Sequence, residues 1–424
     1  MIQPKLYSLS NGIPVIIDSL PGFESATVGI YVKNGSRNES SQKEFGMSHM
    51  LEHMAFKGTT TRSAREITDS IENVGGVINA YTTFNMTAYF STVPVRHREI
   101  AFDILSDIVK NSVFPESEMI RERSVVAQEI KSYQDIPEAI LEKKMFGSIF
   151  RGGMQHDIGG DIKSVGKISR DNLIEYFKSH YSAKNSLLVL SGGGLENPEP
   201  ALAALEKYFG DWKKTDVPEY KFSTYVPAVV HMPKLDLSHT YFKLVWPTPP
   251  ANCRTSLQAL NLFMFIMGAG FGSRMFQEIR EKRGLVYYIG AGGMAFEDVG
   301  IAVIEAQTES CKMAETICAI ADLRAKILTR REPITEAELS RAKEMTKGGI
   351  LMGLESSSRR ADFFATRSMR FGGLDDLQTI IDKLDAVTLE GINAAAREMF
   401  SEKPSIITLG VEKKLPAKEW QGLF

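Results

Sequence analysis

The chain repeats itself. Residues 167–193, KISRDNLIEYFKSHYSAKNSLLVLSGG, return as 386–412, AVTLEGINAAAREMFSEKPSIITLGVE, at an offset of 219 residues. Ser169 falls on Thr388, Tyr181 on Phe400, Lys184 on Lys403 and Ser186 on Ser405. Each copy reads as a Ser or Thr helix cap, an amphipathic helix, a short polar turn and a β-branched strand. A second pair, ESEMIRERSVVAQEI (116–130) and EAELSRAKEMTKGGI (336–350), repeats at an offset of 220. Two matches at nearly one offset indicate duplication, and the period is far too long for a solenoid. At 424 residues the chain also exceeds a single compact core. Two similar domains are therefore expected, 1–212 and 228–424, joined by a polar, proline-bearing linker over 213–227.

Within each repeat, alternating runs precede the helical ones. IPVIID, TVGIYVKNG, VINAYTTFNMTAYFSTV and SLLVLSGG read as strands in the first copy. TYFKLVW, LVYYIGAGGMAFEDVGIAVIEAQT and PSIITLGV do so in the second. Strands first and helices after them predict an α+β fold, each domain a mostly antiparallel sheet covered by helices. The net charge of -2 gives no electrostatic reason to expect nucleic acid. Three cysteines, with no CxxC spacing, fit a reducing compartment. The start lacks the pattern of a signal or transit peptide. The most apolar stretch, LQALNLFMFIMGAGFG, is broken by Gln258, Asn261 and glycines, so it is expected to be a buried helix and not a membrane span. A cytoplasmic protein is expected, with the mitochondrial matrix the alternative for a mature form.

GMSHMLEHMAFKGT, residues 46–59, carries two of the seven histidines. On a helix over 45–57, Met47, Met50, Leu51 and Met54 form the stripe that faces a core. His49, Glu52, His53 and Phe56 share another face. Histidines at i and i+4 can aim their nitrogens at one ion, and Glu52 is near enough to act on water there. This composition produces HxxEH by chance in only about one chain in a hundred of such length. A zinc site needs at least a third protein ligand. Glu122 and Glu129, seven residues apart and so on one helix face, are the candidates, although solvation alone would also explain glutamates there.

HMLEHMAFKGT, GGVINAYTTFNMTAYF and ERSVVAQEI together resemble the pitrilysin-like zinc metallopeptidases, whose HxxEH inverts the commoner HExxH. Within that family the chain is most similar to the processing-peptidase β subunits and their bacterial relatives, and the likeness extends over the duplication. The resemblance implies one zinc per chain held by His49, His53 and Glu129, which lies 76 residues past His53. It implies Glu52 as general base and Glu122 as a residue that orients a ligand. The second repeat has Gly349 where the first has Glu129, and GAGFGSRMFQE opposite HMLEH. The ligands are thus not demanded by the fold.

The resemblance further implies an arginine and, seven residues on, a tyrosine from the second domain as donors to the scissile carbonyl, matching Arg280 and Tyr287. Alternation leaves Tyr288 as the other choice for the phenol. It implies that the strand VINAYTT pairs with an extended peptide, Asn79 and Ala80 facing it. Phe56 matches a pocket residue, and is equally suited to core packing. Glu138 and Glu142, at i and i+4 beside Pro137, match the place where relatives read a substrate arginine. The expected activity is a zinc endopeptidase acting on extended peptides or unfolded segments within a closable chamber, in a homodimer. A non-catalytic scaffold of the same fold is the alternative.

Overall fold

The structure, a computed structural model, describes residues 3–424, the side chains of 254–256 excepted. The chain divides into two compact units. The first holds the chain up to Ser132, Gly152–Phe222 and Leu351–Leu377; the second holds Tyr133–Arg151, Ser223–Ile350 and Gln378–Phe424.

The first unit is built on a six-stranded sheet in the order Lys5–Ser8, Pro14–Ser19, Ser186–Gly192, Ser25–Val32, Thr87–Pro94, Val77–Thr82. Pro14–Ser19 and Ser186–Gly192 run parallel; the other neighbours are antiparallel. The second unit has five strands in the order Val229–Pro233, Ser405–Gly410, Thr240–Thr248, Gly300–Thr308, Val286–Ala295. There too one pair, Val229–Pro233 with Ser405–Gly410, is parallel and the rest antiparallel. Without Lys5–Ser8, the two sheets have the same strand order traced through the chain in the same sequence. The duplication and the α+β architecture are therefore both present in the fold. The repeated helix caps form as expected: Ser169 Oγ accepts from Asn172 N at 3.2 Å and Thr388 Oγ1 from Gly391 N at 3.1 Å.

One face of the first sheet meets a core that includes Met50, Leu51 and Met54 of the helix Met47–Ala55, and Ile104, Leu105 and Ile108 of Arg98–Asn111. The other face, through Ile16, Tyr31, Leu187 and Val189, meets Ala361, Phe364 and Ala365. Those three belong to the helix Ser357–Phe371. Burying Phe364 alone is worth roughly 1.5–3 kcal/mol. The second sheet has its own core, with Phe263 and Met267 of the helix Arg254–Gly268 and Ile317 and Ile320 of Met313–Leu328. The apolar LQALNLFMFIMG stretch is thus a buried helix. Among the described residues no helix is long and apolar enough to cross a membrane.

The contiguous bounds expected from the sequence differ from these units by an exchange of helices. Pro137–Ile149, from the first repeat, packs on Ser405–Gly410 and Thr240–Thr248 in the second unit. Ser357–Phe371, from the second repeat, packs on Ser186–Gly192 and Ser25–Val32 in the first. The two helices start 220 residues apart, so the exchange follows the repeat. A local apolar pattern specifies that a helix forms and which face it buries; it does not specify which of two similar sheets receives it.

Candidate metal centre

His49 and His53 lie on Met47–Ala55, whose opposite side is anchored by fully buried Met50, Leu51 and Met54. The helix begins at Gly46, in a left-handed conformation with φ 90°. A Cβ there would meet the Gly159 carbonyl oxygen at 2.7 Å, so glycine is required twice over. Gly46 supplies no capping side chain. Glu39 does so from outside the helix: its carboxylate accepts from Gly46 N at 2.9 Å and Ser48 N at 2.8 Å. His156 Nε2 holds the same carboxylate at 3.0 Å, with its ring stacked on Phe45 at 3.8 Å. Burial raises the Glu39 carboxyl, against the pull of His156 and the two backbone donors.

The helix Glu116–Tyr133 brings Glu129 to the two histidines. Glu129 Oε2 lies 3.8 Å from His49 Nε2 and 3.6 Å from His53 Nε2. One donor atom from each residue lies within 4.8 Å of the others. These separations exceed hydrogen-bond reach, so the carboxylate lies at ion-pair distance from both imidazoles without hydrogen-bonding either. The imidazole rings stand edge to face, with centroids 4.6 Å apart. Burial first, then the neighbouring His53, lowers His49 to a pKa of about 4, while Asp157 opposes the shift. A neutral imidazole is the form that ligates metal. Two nitrogens and a carboxylate oxygen form a donor set suited to zinc.

Glu122 orients His53. Its Oε2 contacts His53 Nδ1 at 2.9 Å and its Oε1 accepts from Lys57 Nζ at 2.7 Å. Burial would raise this carboxyl, but Lys57 and His53 outweigh it and hold it below its ordinary value. With Nδ1 occupied, Nε2 of His53 faces Glu129. Glu52 accepts from Thr82 Oγ1 at 2.6 Å. Burial raises its carboxyl, the Thr82 hydrogen bond and His53 oppose this, and Glu129 adds to it. A carboxylate raised in this way is suited to taking a proton and giving it back.

His49, His53, Glu129, Glu52 and Glu122 are thus brought together in the first unit. Lys57, Thr82, Glu39 and His156 support them through hydrogen bonds and ion pairs, and none was expected from the sequence to belong to the site. Of these only Lys57, at i+4 from His53, has a local signal. Phe56 follows the helix, half-buried against the first core, its ring 6.0 Å from Tyr89. Asn79 and Ala80 are neighbours on the edge strand Val77–Thr82, with their side chains on opposite faces of the sheet. Ala80 packs toward the first core, on the same side as Thr82 and Glu52, while Asn79 lies on the other, exposed.

The remaining expected residues belong to the second unit. Glu138 and Glu142 are exposed on Pro137–Ile149, Glu138 near enough to help raise the Tyr241 phenol. Arg280 lies in a π-helical turn, Phe276–Lys282. Its guanidinium sits over Phe276 at 4.6 Å and over Tyr287 at 5.6 Å. Tyr287 is 74% exposed. Tyr288 instead donates to Glu305 at 3.0 Å, and burial and that carboxylate push its phenol up to about 12. Of the two phenols, Tyr287 is the one paired with Arg280.

Residues 14–158 match the family model described as insulinase (peptidase family M16), and residues 167–346 the one described as peptidase M16 inactive domain. The chain belongs to peptidase family M16. A Rickettsia felis protein named uncharacterized zinc protease is 30% identical over 407 residues, covering 96% of this chain and 97% of that one. The Bacillus subtilis protein named uncharacterized zinc protease YmxG is 29% identical over 421 residues, 97% of this chain and all of its own. Among solved structures, a protease from Helicobacter pylori has the same fold, with a TM-score of 0.84, 23% identity and coverage of 96% and 98%. So does a chain of complex III2 from Candida albicans, with a TM-score of 0.85, 17% identity and 99% of each chain covered.

Proposed function

We propose that the chain is a zinc-dependent endopeptidase that cuts extended or unfolded polypeptides, with one zinc held by His49, His53 and Glu129. The observation that carries this reading is the convergence of those three donors within 4.8 Å, with Glu52 beside them. Zinc held there supplies Lewis acidity toward water and a peptide carbonyl. Glu52, with its raised carboxyl and its Thr82 hydrogen bond, takes a proton from the attacking water and passes it to the leaving amine. Glu122 keeps His53 in the ligating tautomer. The edge strand Val77–Thr82 offers backbone groups to an extended peptide, which favours tolerance of sequence. Arg280 and Tyr287 are carried in the proposal as donors to the developing oxyanion. Asn79, Ala80, Phe56, Glu138 and Glu142 are carried as substrate contacts, a homodimer as the working form and the cytoplasm as its place.

A scaffold role is the second reading. The inactive-domain match and the likeness to a complex III2 chain favour it. That match begins at residue 167, beyond every proposed ligand, and so leaves the first repeat's donor set untouched. Glu52→Gln separates the two readings. Peptide cleavage, followed by mass spectrometry on a peptide library, should vanish while zinc content stays at one per chain. Cleavage that persists in Glu52→Gln contradicts the role given to that carboxylate, and a parent chain that cuts nothing when zinc-loaded supports the scaffold.

A further inference from the structure

The edge strand Val77–Thr82 is tied from both faces. Among the described residues its ladder partner is Thr87–Pro94 alone, so no strand pairs its other edge, where Ala80 N donates to the Asn79 side chain at 2.8 Å. On one face Thr82 Oγ1 donates to Glu52. On the other the Tyr81 phenol donates to Asp362, and the buried Tyr31 phenol lies against the same carboxylate. Asp362 sits on Ser357–Phe371, the helix that the second repeat gives to the first unit.

That helix is itself held firmly. Arg360 makes a two-pronged contact with buried Asp18, Nε at 2.6 Å and Nη2 at 2.8 Å, and Asp18 also accepts from Ser191 at 2.7 Å. Ser357 bonds Thr27 at 2.9 Å. Arg360 and Asp362 are two residues apart, so the aspartate is presented from a fixed place on the sheet. Tyr81 and Thr82 are neighbours on opposite faces, so a shift of one moves the other.

We propose that Asp362 is a positioning residue for the edge strand: through Tyr81 it sets the height of the backbone to which an extended peptide pairs and, one residue on, the Thr82 hydroxyl that holds Glu52. This rests on the peptidase reading above. It makes the repeat without ligands a contributor to the unit that has them, by one carboxylate on an exchanged helix.

The test uses Asp362→Asn and, because it keeps the ring in place, Tyr81→Phe, each in the full-length chain. Amide hydrogen exchange reads the strand directly and does not depend on catalysis. Peptide binding is read by fluorescence anisotropy with a fluorescein-labelled unstructured fragment of β-casein, in a Glu52→Gln background so that nothing is cut. Both variants should lose protection over residues 77–82 and bind the peptide about tenfold more weakly, through lost preorganisation. Ser357→Ala, which removes one hydrogen bond of the same helix but leaves the Arg360–Asp18 pair and the Tyr81–Asp362 contact in place, should change neither. Wild-type protection in both variants, unchanged affinity despite lost protection, or an equal loss in Ser357→Ala would each overturn the proposal. A parent that binds no peptide would count against the peptidase reading alone; the exchange over 77–82 would then decide whether Asp362 positions the strand.

Discussion

The two repeats share strand order, helix caps and an exchanged helix, yet among the described residues only the first gathers metal donors. By chain order and packing, the counterpart of Met47–Ala55 is Arg254–Gly268: the first lies against Val77–Thr82 and Arg170–His180, the second against Val286–Ala295 and Leu389–Ser401. That places the counterpart somewhat earlier than GAGFGSRMFQE, and it too contains no histidine. Glu129 faces Gly349 across the offset, on two helices of 18 residues each. A scaffold that forms equally well with and without the donors does not need them for folding. The donors are an addition to the fold, and the comparison can be tested at each place where the repeats differ.

The largest effect should come from giving the first repeat the second repeat's residue. Glu129→Gly should lower kcat/KM by on the order of 10³-fold or more, the several kcal/mol that a bound ion contributes at the transition state. Zinc content by elemental analysis should fall below one per chain. Full activity in this variant would break the comparison outright.

The exchanged helices provide the next test. Ser357–Phe371 is fixed to the first sheet by the buried Asp18–Arg360 pair, with Asp18 wholly inaccessible. Arg360→Ala strands that carboxylate and should cost about 3–5 kcal/mol in urea unfolding. A loss under about 1 kcal/mol would mean that the helix is held by its apolar contacts alone. The smallest effect belongs to Gly349→Glu. An added Cβ there meets nothing within 4 Å. Replacing an exposed helical glycine should stabilise the chain by about 0.5–1 kcal/mol and leave zinc at one per chain. A second bound zinc would show that the repeats differ by less than the account holds.

Much of this was legible in the sequence. The offsets of 219 and 220 gave the duplication, alternation gave the strands, and the HxxEH spacing gave two donors and their neighbouring carboxylate. Glu129 was only one of two candidates by spacing and was chosen through family resemblance. The rest depends on contacts between residues far apart in the chain. Glu39 caps a helix it precedes by several residues, His156 reaches Glu39 across 117 positions, and Thr82 meets Glu52 across 30. No local pattern announces such pairs. The destination of Pro137–Ile149 was hidden for the same reason: its apolar stripe fits either of two similar sheets.

Anomalous X-ray diffraction on both sides of the zinc edge, from crystals of chain purified without chelator and replenished with zinc, addresses the central claim most directly. One peak is expected, within bonding distance of His49, His53 and Glu129 together, and none at the corresponding place in the second repeat. Featureless density among those three side chains, or an ion bound by other residues, would contradict it.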